Sequence, residues 1–244
     1  EKHRKSPLFS RRILSISEMG RTIPLLVIGN ENAEEAMLLA CRHHACESTA
    51  SYQLEGILED FLSHPQIFER YCIYAVPFID IDGVQNGDQG KGRFPHDHNR
   101  DYSDSPIYVS TKCVRSLLNE LPITVAFDLH SPYKWGGRND YPFFVKGERY
   151  SSEKVDELSA IFLDVVNRCT TEDKIPFDIS QNIDLGVEWN VKHGNCFGDD
   201  FDNRLYFICT EMPYFGCDGV KYTAENLREF GSNLGKAFRM QMEK

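Results

Sequence analysis

The chain has 244 residues, 41% of them hydrophobic, which is enough to bury one large core. We therefore expect a single domain over residues 1–244. The formal net charge of −10 argues against nucleic acid as a partner, because a phosphate-binding surface needs clustered Lys and Arg. No apolar run reaches the roughly 18 residues of a membrane-spanning helix, so no membrane span is expected.

The eight cysteines form no Cys-x-x-Cys pair, and several lie inside apolar runs where a thiol serves as a small hydrophobic side chain. A chain of this length needs no disulfide for stability, which favours a reducing, cytoplasmic location. The chain begins at Glu1 rather than Met, however. A periplasmic or secreted location therefore stays open, if an upstream signal segment was removed.

Strand-like and helix-like segments alternate along the chain without a long linker or an internal repeat, which is typical of an α/β sandwich. Residues 11–17 and 22–28 are rich in β-forming side chains and predict a hairpin around the turn-like tetrapeptide between them. Apolar residues at a spacing of three to four predict helices over residues 32–39 and 48–62. Residues 70–76 predict a strand.

A long loop follows that strand. The Asp-Gly, Asn-Gly and Gly-Lys-Gly sequences within residues 82–92 cannot sustain regular structure, and long loops in compact domains are often functional. After the loop, regular elements are predicted again: a helix over 105–121, a strand over 123–129, a short segment over 142–145, a helix over 152–169, a strand over 204–209 and a helix over 223–242. Residues 171–203 are irregular and rich in Asn, Asp and Gly.

The segment from Arg42 to Glu47 offers imidazoles and a carboxylate where a helix is expected to begin. His130 follows at the end of the strand predicted over 123–129. Two His and one Glu form the set of three protein ligands used by a catalytic zinc that keeps its fourth position open for water. Geometry alone does not assign both His43 and His44, but the three-residue spacing to Glu47 favours His44. His43 is then a solvent-exposed or supporting residue.

A lone His on an apolar strand is more often a satisfied core residue than a ligand. His130, however, is predicted at the C-terminal end of its strand, where open α/β sheets bind ligands. Asp128 lies two residues earlier, on the same strand face, and is suited to orient an imidazole. These features favour His130 as a ligand.

The long loop and the last strand add three further polar residues. Asn99 and Arg100 supply an amide and a planar guanidinium suited to gripping a carboxylate, although a hydrated loop would contain the same residues. Glu211 follows the last predicted strand. A Glu there is usually a rim charge, but beside a zinc-bound water it would be a general base.

These four pieces, in this order, resemble the zinc metallocarboxypeptidase family, also called the M14 or carboxypeptidase A-like peptidases. The family pattern is Arg-x-His-x-x-Glu, then Asp-x-Asn-Arg, then a strand ending in His, then a strand ending in Glu. It is matched at residues 42–47, 97–100, 127–130 and 210–211. The resemblance implies a three-layer α/β sandwich, with a mixed, mostly parallel twisted sheet flanked by helices.

The resemblance also implies hydrolysis of the C-terminal amide bond of a peptide or peptide-like substrate with a free carboxylate. The implied roles are zinc binding by His44, Glu47 and His130 (one Zn²⁺ per chain), orientation of His44 by Asp97, carboxylate binding by Asn99 and Arg100, and proton transfer by Glu211.

The chain departs from the family in two catalytic features. Gly90 occupies the place of an Arg that polarises the scissile carbonyl in some subfamilies. Of the nearby cations Lys91 and Arg93, we predict that Arg93 takes this catalytic role. The family's mobile Tyr has no counterpart in residues 151–205, and Tyr133, Tyr141 and Tyr150 all precede that segment.

Substrate choice stays open. The resemblance places the side-chain pocket in residues 182–203, where Asp199, Asp200 and Asp202 either attract a basic side chain or form a solvated acidic loop. Three alternative functions also stay open: an aspartoacylase-like deacylase of N-acyl amino acids, a murein-peptide amidase, and a zinc-binding module without catalysis.

Overall fold

The computed structural model describes residues 6–201 and 206–243, without the side chains of Arg149, Asp200 and Phe201. Seven strands form the main sheet: β1 Phe9–Ile16, β2 Thr22–Ile28, β3 Glu35–Cys41, β4 Tyr71–Val76, β5 Ile123–His130, β6 Phe143–Val145 and β7 Tyr206–Glu211. Two short strands, β8 Gly216–Cys217 and β9 Val220–Lys221, form a separate hairpin. The helices are α1 Ser48–Ser63, α2 Ile81–Asn86, α3 Val109–Glu120, α4 Arg149–Arg168 and α5 Ala224–Met242.

The strand order in the main sheet is β1-β2-β4-β3-β5-β7-β6. The four central strands β4, β3, β5 and β7 run parallel, and the remaining pairs are antiparallel. Parallel neighbours need crossover connections, which the helices between them supply. The sheet is therefore mixed around a parallel centre, and the predicted fold class is confirmed.

Helices cover both faces of the sheet. On one face α1, α4 and α5 pack through residues such as Leu54, Phe162 and Phe238. On the other face α3 contributes Val114 to a second core that includes Leu38 of β3. Because the central strands are covered on both sides, their sequences are continuously apolar rather than alternating.

One predicted element has a different structure. Residues 32–39 were expected to form a helix, but residues 35–41 form β3, between β4 and β5. The run Ala36–Cys41 is wholly buried, and an apolar run this short has no periodicity that separates a buried strand from a helix. The correction matters for the site, because residues 42–47 follow a strand instead of joining two helices.

Candidate active site

Three neighbouring parallel strands end at the same edge of the sheet and bring the predicted site residues together. Residues 42–47 follow β3, His130 is the last residue of β5, and Glu211 is the last residue of β7. In the register of the sheet, Cys41 pairs with Leu129, and His130 pairs with Glu211. The carboxyl ends of parallel strands are the usual ligand-binding edge of an open α/β sheet.

The turn after β3 separates the two adjacent histidines. Arg42 has a positive φ of 61°, and its guanidinium donates to the Ala45 carbonyl (Nε to O, 2.9 Å) and to Ser51 (Nη1 to Oγ, 3.1 Å). His43 is completely buried, whereas 12% of the His44 side chain is exposed. The helix expected to begin here is confirmed, because residues 43–46 form a turn, Glu47 occupies the N-cap position and α1 begins at Ser48.

Glu47 connects the two predicted histidine ligands. Its Oε1 lies 2.8 Å from Nδ1 of His44, and its Oε2 lies 2.8 Å from Nδ1 of His130. The donor atoms of these three residues all lie within 4.8 Å of one another. Two imidazole nitrogens and a carboxylate oxygen at such separations fit the ligand set of a catalytic zinc.

Glu47 and His130 hold each other in their charged forms. Burial alone would raise the pKa of Glu47, but the charges of His130 and His44 outweigh it and hold that pKa well below its ordinary value. Burial would likewise lower the pKa of His130, but Asp128 and Glu47 raise it well above its ordinary value. The cluster thus has carboxylates ready to accept a cation.

Two further carboxylates, those of Asp97 and Asp128, contact the ring nitrogens of His44 and His130 that face away from Glu47. Asp97 Oδ1 lies 3.5 Å from Nε2 of His44, on the ring edge opposite Glu47. Asp128 Oδ2 lies 2.8 Å from Nε2 of His130, and Asp128 Oδ1 lies 2.9 Å from Nδ1 of His43. His43, Asp128 and His130 therefore form a second group whose donor atoms are close together. Sequence reasoning left His43 unassigned between solvent and support, and the structure places it inside the protein.

Glu211 lies beside this cluster and is 8% exposed. Its Oε2 is buried and has no hydrogen-bond partner among the described residues. Burial and the negative charge of Glu47 raise the pKa of Glu211 to about 7. A carboxylate with a free oxygen and such a pKa is suited to accept a proton near neutral pH.

A cavity of about 150 Å³ opens beside these residues. Predicted site residues that line it are His44, Asn99, Arg100, His130 and Glu211. Its remaining wall comes mainly from the end of β6 and from residues 185–199, including Lys146, Glu148, Trp189, Lys192 and Asp199. The contribution of β6 was not expected, because the sequence pattern indicated only the irregular segment.

Arg100 lines the cavity and forms no ion pair within 4.0 Å with any carboxylate in the described ranges. Within the described residues its guanidinium donates one long hydrogen bond, from Nη1 to the Asn99 carbonyl at 3.4 Å. Asn99 is more firmly held: its Oδ1 accepts from the Phe197 backbone N–H at 3.2 Å, and its Nδ2 lies 3.2 Å from Nε2 of His130. Arg100 is therefore the cation best placed to receive an anionic group in the cavity.

The structure does not bring Arg93 to the cluster. Its guanidinium pairs with Asp80 (Nη2 to Oδ2, 2.5 Å) and with Asp88 (Nη2 to Oδ2, 3.1 Å). Lys91 instead reaches the cluster, with Nζ 2.7 Å from Glu47 Oε1 and 2.9 Å from the Ser131 carbonyl. Gly90, with a positive φ of 91°, lies so close to the turn after β3 that a Cβ there would be 2.4 Å from the Ala45 nitrogen, and this contact brings the adjacent Lys91 next to Glu47.

Of the acidic residues and tyrosines considered above for specificity and catalysis, Asp199 lines the cavity. It accepts from the Cys196 backbone N–H, while Asp202 and the Asp200 side chain lie outside the described residues. Because Lys146 and Lys192 line the same cavity, its charge is mixed. Tyr133, Tyr141 and Tyr150 do not line it.

No protein-family model matches the chain. Over 132 residues the chain is 27% identical to cytosolic carboxypeptidase 6 of Caenorhabditis elegans, a match that covers 48% of this chain and 28% of that protein. Its structure is similar to a metallo-carboxypeptidase from Burkholderia cenocepacia, with a TM-score of 0.77 and 15% identity, over 99% of this chain and 67% of that one. A metallo-carboxypeptidase from Pseudomonas aeruginosa, solved in complex with (2-guanidinoethylmercapto)succinic acid, gives a TM-score of 0.71 and 16% identity over 96% of this chain and 64% of that one.

The chain has the metallo-carboxypeptidase fold. The resemblance inferred from the four sequence motifs is thereby confirmed. The match spans about a quarter of the curated relative, and the chain spans about two-thirds of these solved structures. Within the described residues, no helix is both long enough and apolar enough to cross a membrane.

Proposed function

We propose that this protein is a zinc-dependent metallocarboxypeptidase that removes the C-terminal residue of peptides or peptide-like substrates. The observation that carries the proposal is the convergence of His44, Glu47 and His130 at one end of the sheet, with Glu211 beside them. The metallo-carboxypeptidase fold supports the same activity class. The proposal assigns one zinc ion to each chain.

The donor set supports zinc as the metal. Two imidazoles and one carboxylate leave a fourth tetrahedral position open, as catalytic zinc sites do. When bound there, zinc supplies a Lewis acid that polarises a carbonyl and lowers the pKa of a water molecule. The remaining chemistry belongs to the side chains of this chain.

The side chains divide the reaction into anchoring and proton transfer. Arg100, with Asn99 beside it, binds the terminal carboxylate of the substrate and so determines which peptide bond lies near Glu211. The free Oε2 of Glu211 accepts the proton of the attacking water and returns it to the amine that leaves. A pKa of about 7 suits both directions of this transfer at neutral pH.

The proposal is tested by metal analysis of the purified protein together with hydrolysis of a short substrate panel. The panel contains peptides with free and with amidated C termini, N-acyl amino acids, and a murein-type peptide. We expect about one zinc per chain and stepwise loss of C-terminal residues from the free-acid peptides only.

Glu211→Gln tests the assignment of the base. It keeps the size of the side chain but cannot accept the proton, so hydrolysis should fall by at least about 100-fold while zinc content is retained. Glu120→Gln, at an exposed position on α3, is the matched control and should behave as wild type. Cleavage of N-acyl amino acids but not peptides would point to a deacylase, and zinc binding without hydrolysis to a binding module.

A further inference from the structure

His130 presents its two ring nitrogens to opposite sides. Nδ1 faces the proposed metal position, 2.8 Å from Glu47 Oε2, and Nε2 faces Asp128 Oδ2 at 2.8 Å. The ring is 3% exposed. Only the nitrogen that carries no proton can coordinate a metal, so the partner of Nε2 determines whether Nδ1 is available.

Asp128 is shared between two imidazoles. Its Oδ2 contacts His130 and its Oδ1 lies 2.9 Å from Nδ1 of His43. Asp128 is 2% exposed, so water does not compete for its two oxygens. One carboxylate that accepts from both rings leaves neither oxygen free to turn away from His130.

His43 is itself fixed from the far side. Its Nε2 lies 2.7 Å from the Tyr102 hydroxyl, and Phe197 and Tyr102 pack against its ring with centroid distances of 5.1 and 5.6 Å. The three short contacts are all satisfied when Tyr102 O–H donates to His43 Nε2, His43 Nδ1–H to Asp128, and His130 Nε2–H to Asp128, with Asn99 Nδ2 a more distant neighbour of that His130 nitrogen at 3.2 Å. With zinc bound, the proton that stays on His130 is then the one on Nε2, and the lone pair of Nδ1 points to the side of Glu47 and His44.

We propose that Asp128 and His43 are positioning residues that hold His130 as the Nδ1-ligating tautomer, with Tyr102 closing the chain of hydrogen bonds. The inference rests on the metal site of the proposed function, but it concerns the affinity of that site rather than the reaction. The network is assembled by the fold: Asp128 and His130 share a face of β5, and the Arg42 turn directs His43 inward.

The same geometry argues against a second metal between His43, Asp128 and His130. Both ring nitrogens of His43 already have protein partners, and all three residues are at most 3% exposed. A metal bound there would have to displace the Asp128 hydrogen bonds that the two rings share. The group therefore serves as support for one site.

The test measures zinc affinity by competition with a chromophoric chelator in wild type and three variants. Asp128→Asn keeps the shape but presents an N–H₂ group to one imidazole, and we expect zinc affinity to fall about 10- to 100-fold. His43→Phe keeps a ring but removes the donor to Asp128, and should lower affinity about 10-fold. Tyr102→Phe removes one hydroxyl, is the variant most certain to fold, and should give a smaller loss in the same direction.

Asp60→Asn is the matched control. Asp60 is also a buried carboxylate with two partners, accepting from Arg239 and pairing with His64, but it lies thirteen residues from Glu47 along α1, about 20 Å away. Its variant should lose stability and keep wild-type zinc affinity. Imidazole ¹⁵N shifts of the zinc-loaded proteins add a readout that general destabilisation does not move: His130 should be protonated on Nε2 alone in wild type and become a tautomer mixture in Asp128→Asn.

The proposal is overturned if Asp128→Asn and Tyr102→Phe bind zinc as wild type does, or if Asp60→Asn weakens binding equally. It is also overturned if wild type binds two zinc ions and Asp128→Asn binds one, because Asp128 would then be a ligand. Absence of peptide hydrolysis in a wild-type protein that binds zinc would refute the proposed function and leave this inference standing.

Discussion

Glu211 lies directly opposite His130 in the pairing of β5 with β7, and both side chains are buried. This register places a carboxylate whose pKa is about 7 next to an imidazole that Asp128 and Glu47 hold charged. The sheet itself thus determines the distance between the proposed base and a proposed metal ligand. A slip by one residue would turn Glu211 to the other face of the sheet.

The raised pKa of Glu211 predicts a pH dependence of stability in the metal-free protein. The folded chain keeps a proton on Glu211 up to about pH 7, whereas the unfolded chain releases it near pH 4.5. Since the folded state binds the extra proton, the contribution of Glu211 to the free energy of unfolding falls as pH rises through this window. Relative to Glu211→Gln, wild type should lose up to about 3 kcal/mol between pH 4.5 and 7. Urea unfolding in the presence of a chelator, at several pH values, measures the free energy of unfolding of both proteins. If that free energy changed equally with pH in wild type and Glu211→Gln, the prediction would be refuted.

Arg100 predicts how the enzyme distinguishes a free C terminus from a blocked one. Arg100→Ala should lower kcat/KM for free-acid peptides about 10- to 100-fold, the loss expected for one charged hydrogen-bonding group. The variant should also lose the preference for free-acid over amidated peptides. Arg100→Lys keeps the charge but not the planar fork of the guanidinium, so its kcat/KM for free-acid peptides should lie between those of wild type and Arg100→Ala. Arg168→Ala, whose side chain is 75% exposed on α4, is the control; if Arg100→Ala keeps full discrimination, the carboxylate binds elsewhere.

The resemblance to metallocarboxypeptidases could be predicted from the sequence because its four motifs follow one another in the order of the family: three lie at the ends of β3, β5 and β7, and residues 97–100 lie in the long loop. His44, Glu47 and Glu211 are brought together as that order implied. The strand β3 was missed, because residues 32–39 show apolar spacing that suits a helix equally well. Only the pairing of these residues with β4 and β5 shows that they form a strand rather than a helix.

Long-range contacts explain why other parts of the site were not predictable. His43 and Asp128 are 85 positions apart, and nothing in either local sequence indicates that they form a hydrogen bond. Arg93 was preferred over Lys91 by residue type, since a guanidinium is the family's usual oxyanion partner. The buried Asp80, which follows β4 after three residues, draws Arg93 away. A pairing partner so placed is visible only in the folded chain.

Lys91 and Arg93 are distinguished by opposite effects on rate and stability. Lys91→Met removes the cation nearest to the cluster, so kcat should fall about 100-fold or more, as for loss of one oxyanion-stabilising group. The zinc affinity of Lys91→Met should not fall, because the substitution removes a positive charge that would repel the zinc ion. Arg93→Met should leave kcat nearly unchanged but destabilise the fold by about 2 to 3 kcal/mol, since the buried Asp80 loses its partner while Arg93 itself is 26% exposed. Steady-state kinetics and urea unfolding of both variants measure these two effects. A large loss of kcat in Arg93→Met, with little change in Lys91→Met, would restore Arg93 as the catalytic cation.

Gly56 predicts a stability effect that opposes helix propensity. It lies where α1 packs on α5, and a Cβ at this position would be 2.0 Å from the Arg228 carbonyl oxygen and 2.7 Å from the Ser232 nitrogen. A Cβ added at Gly231 on α5 would likewise lie 2.1 Å from the Gln53 carbonyl oxygen. Ala is favoured over Gly by about 1 kcal/mol inside a helix, but here backbone must move to admit the methyl group.

We therefore expect Gly56→Ala to lower the free energy of unfolding by about 1 to 3 kcal/mol, as overpacking does. Gly92→Ala is the control, because a Cβ there meets nothing within 4 Å and no positive φ strains it; its stability should change by less than about 1 kcal/mol. Urea unfolding at neutral pH with zinc present compares the two variants. If Gly56→Ala proved as stable as wild type, α1 and α5 would have to lie farther apart than the contacts of Gly56 and Gly231 indicate.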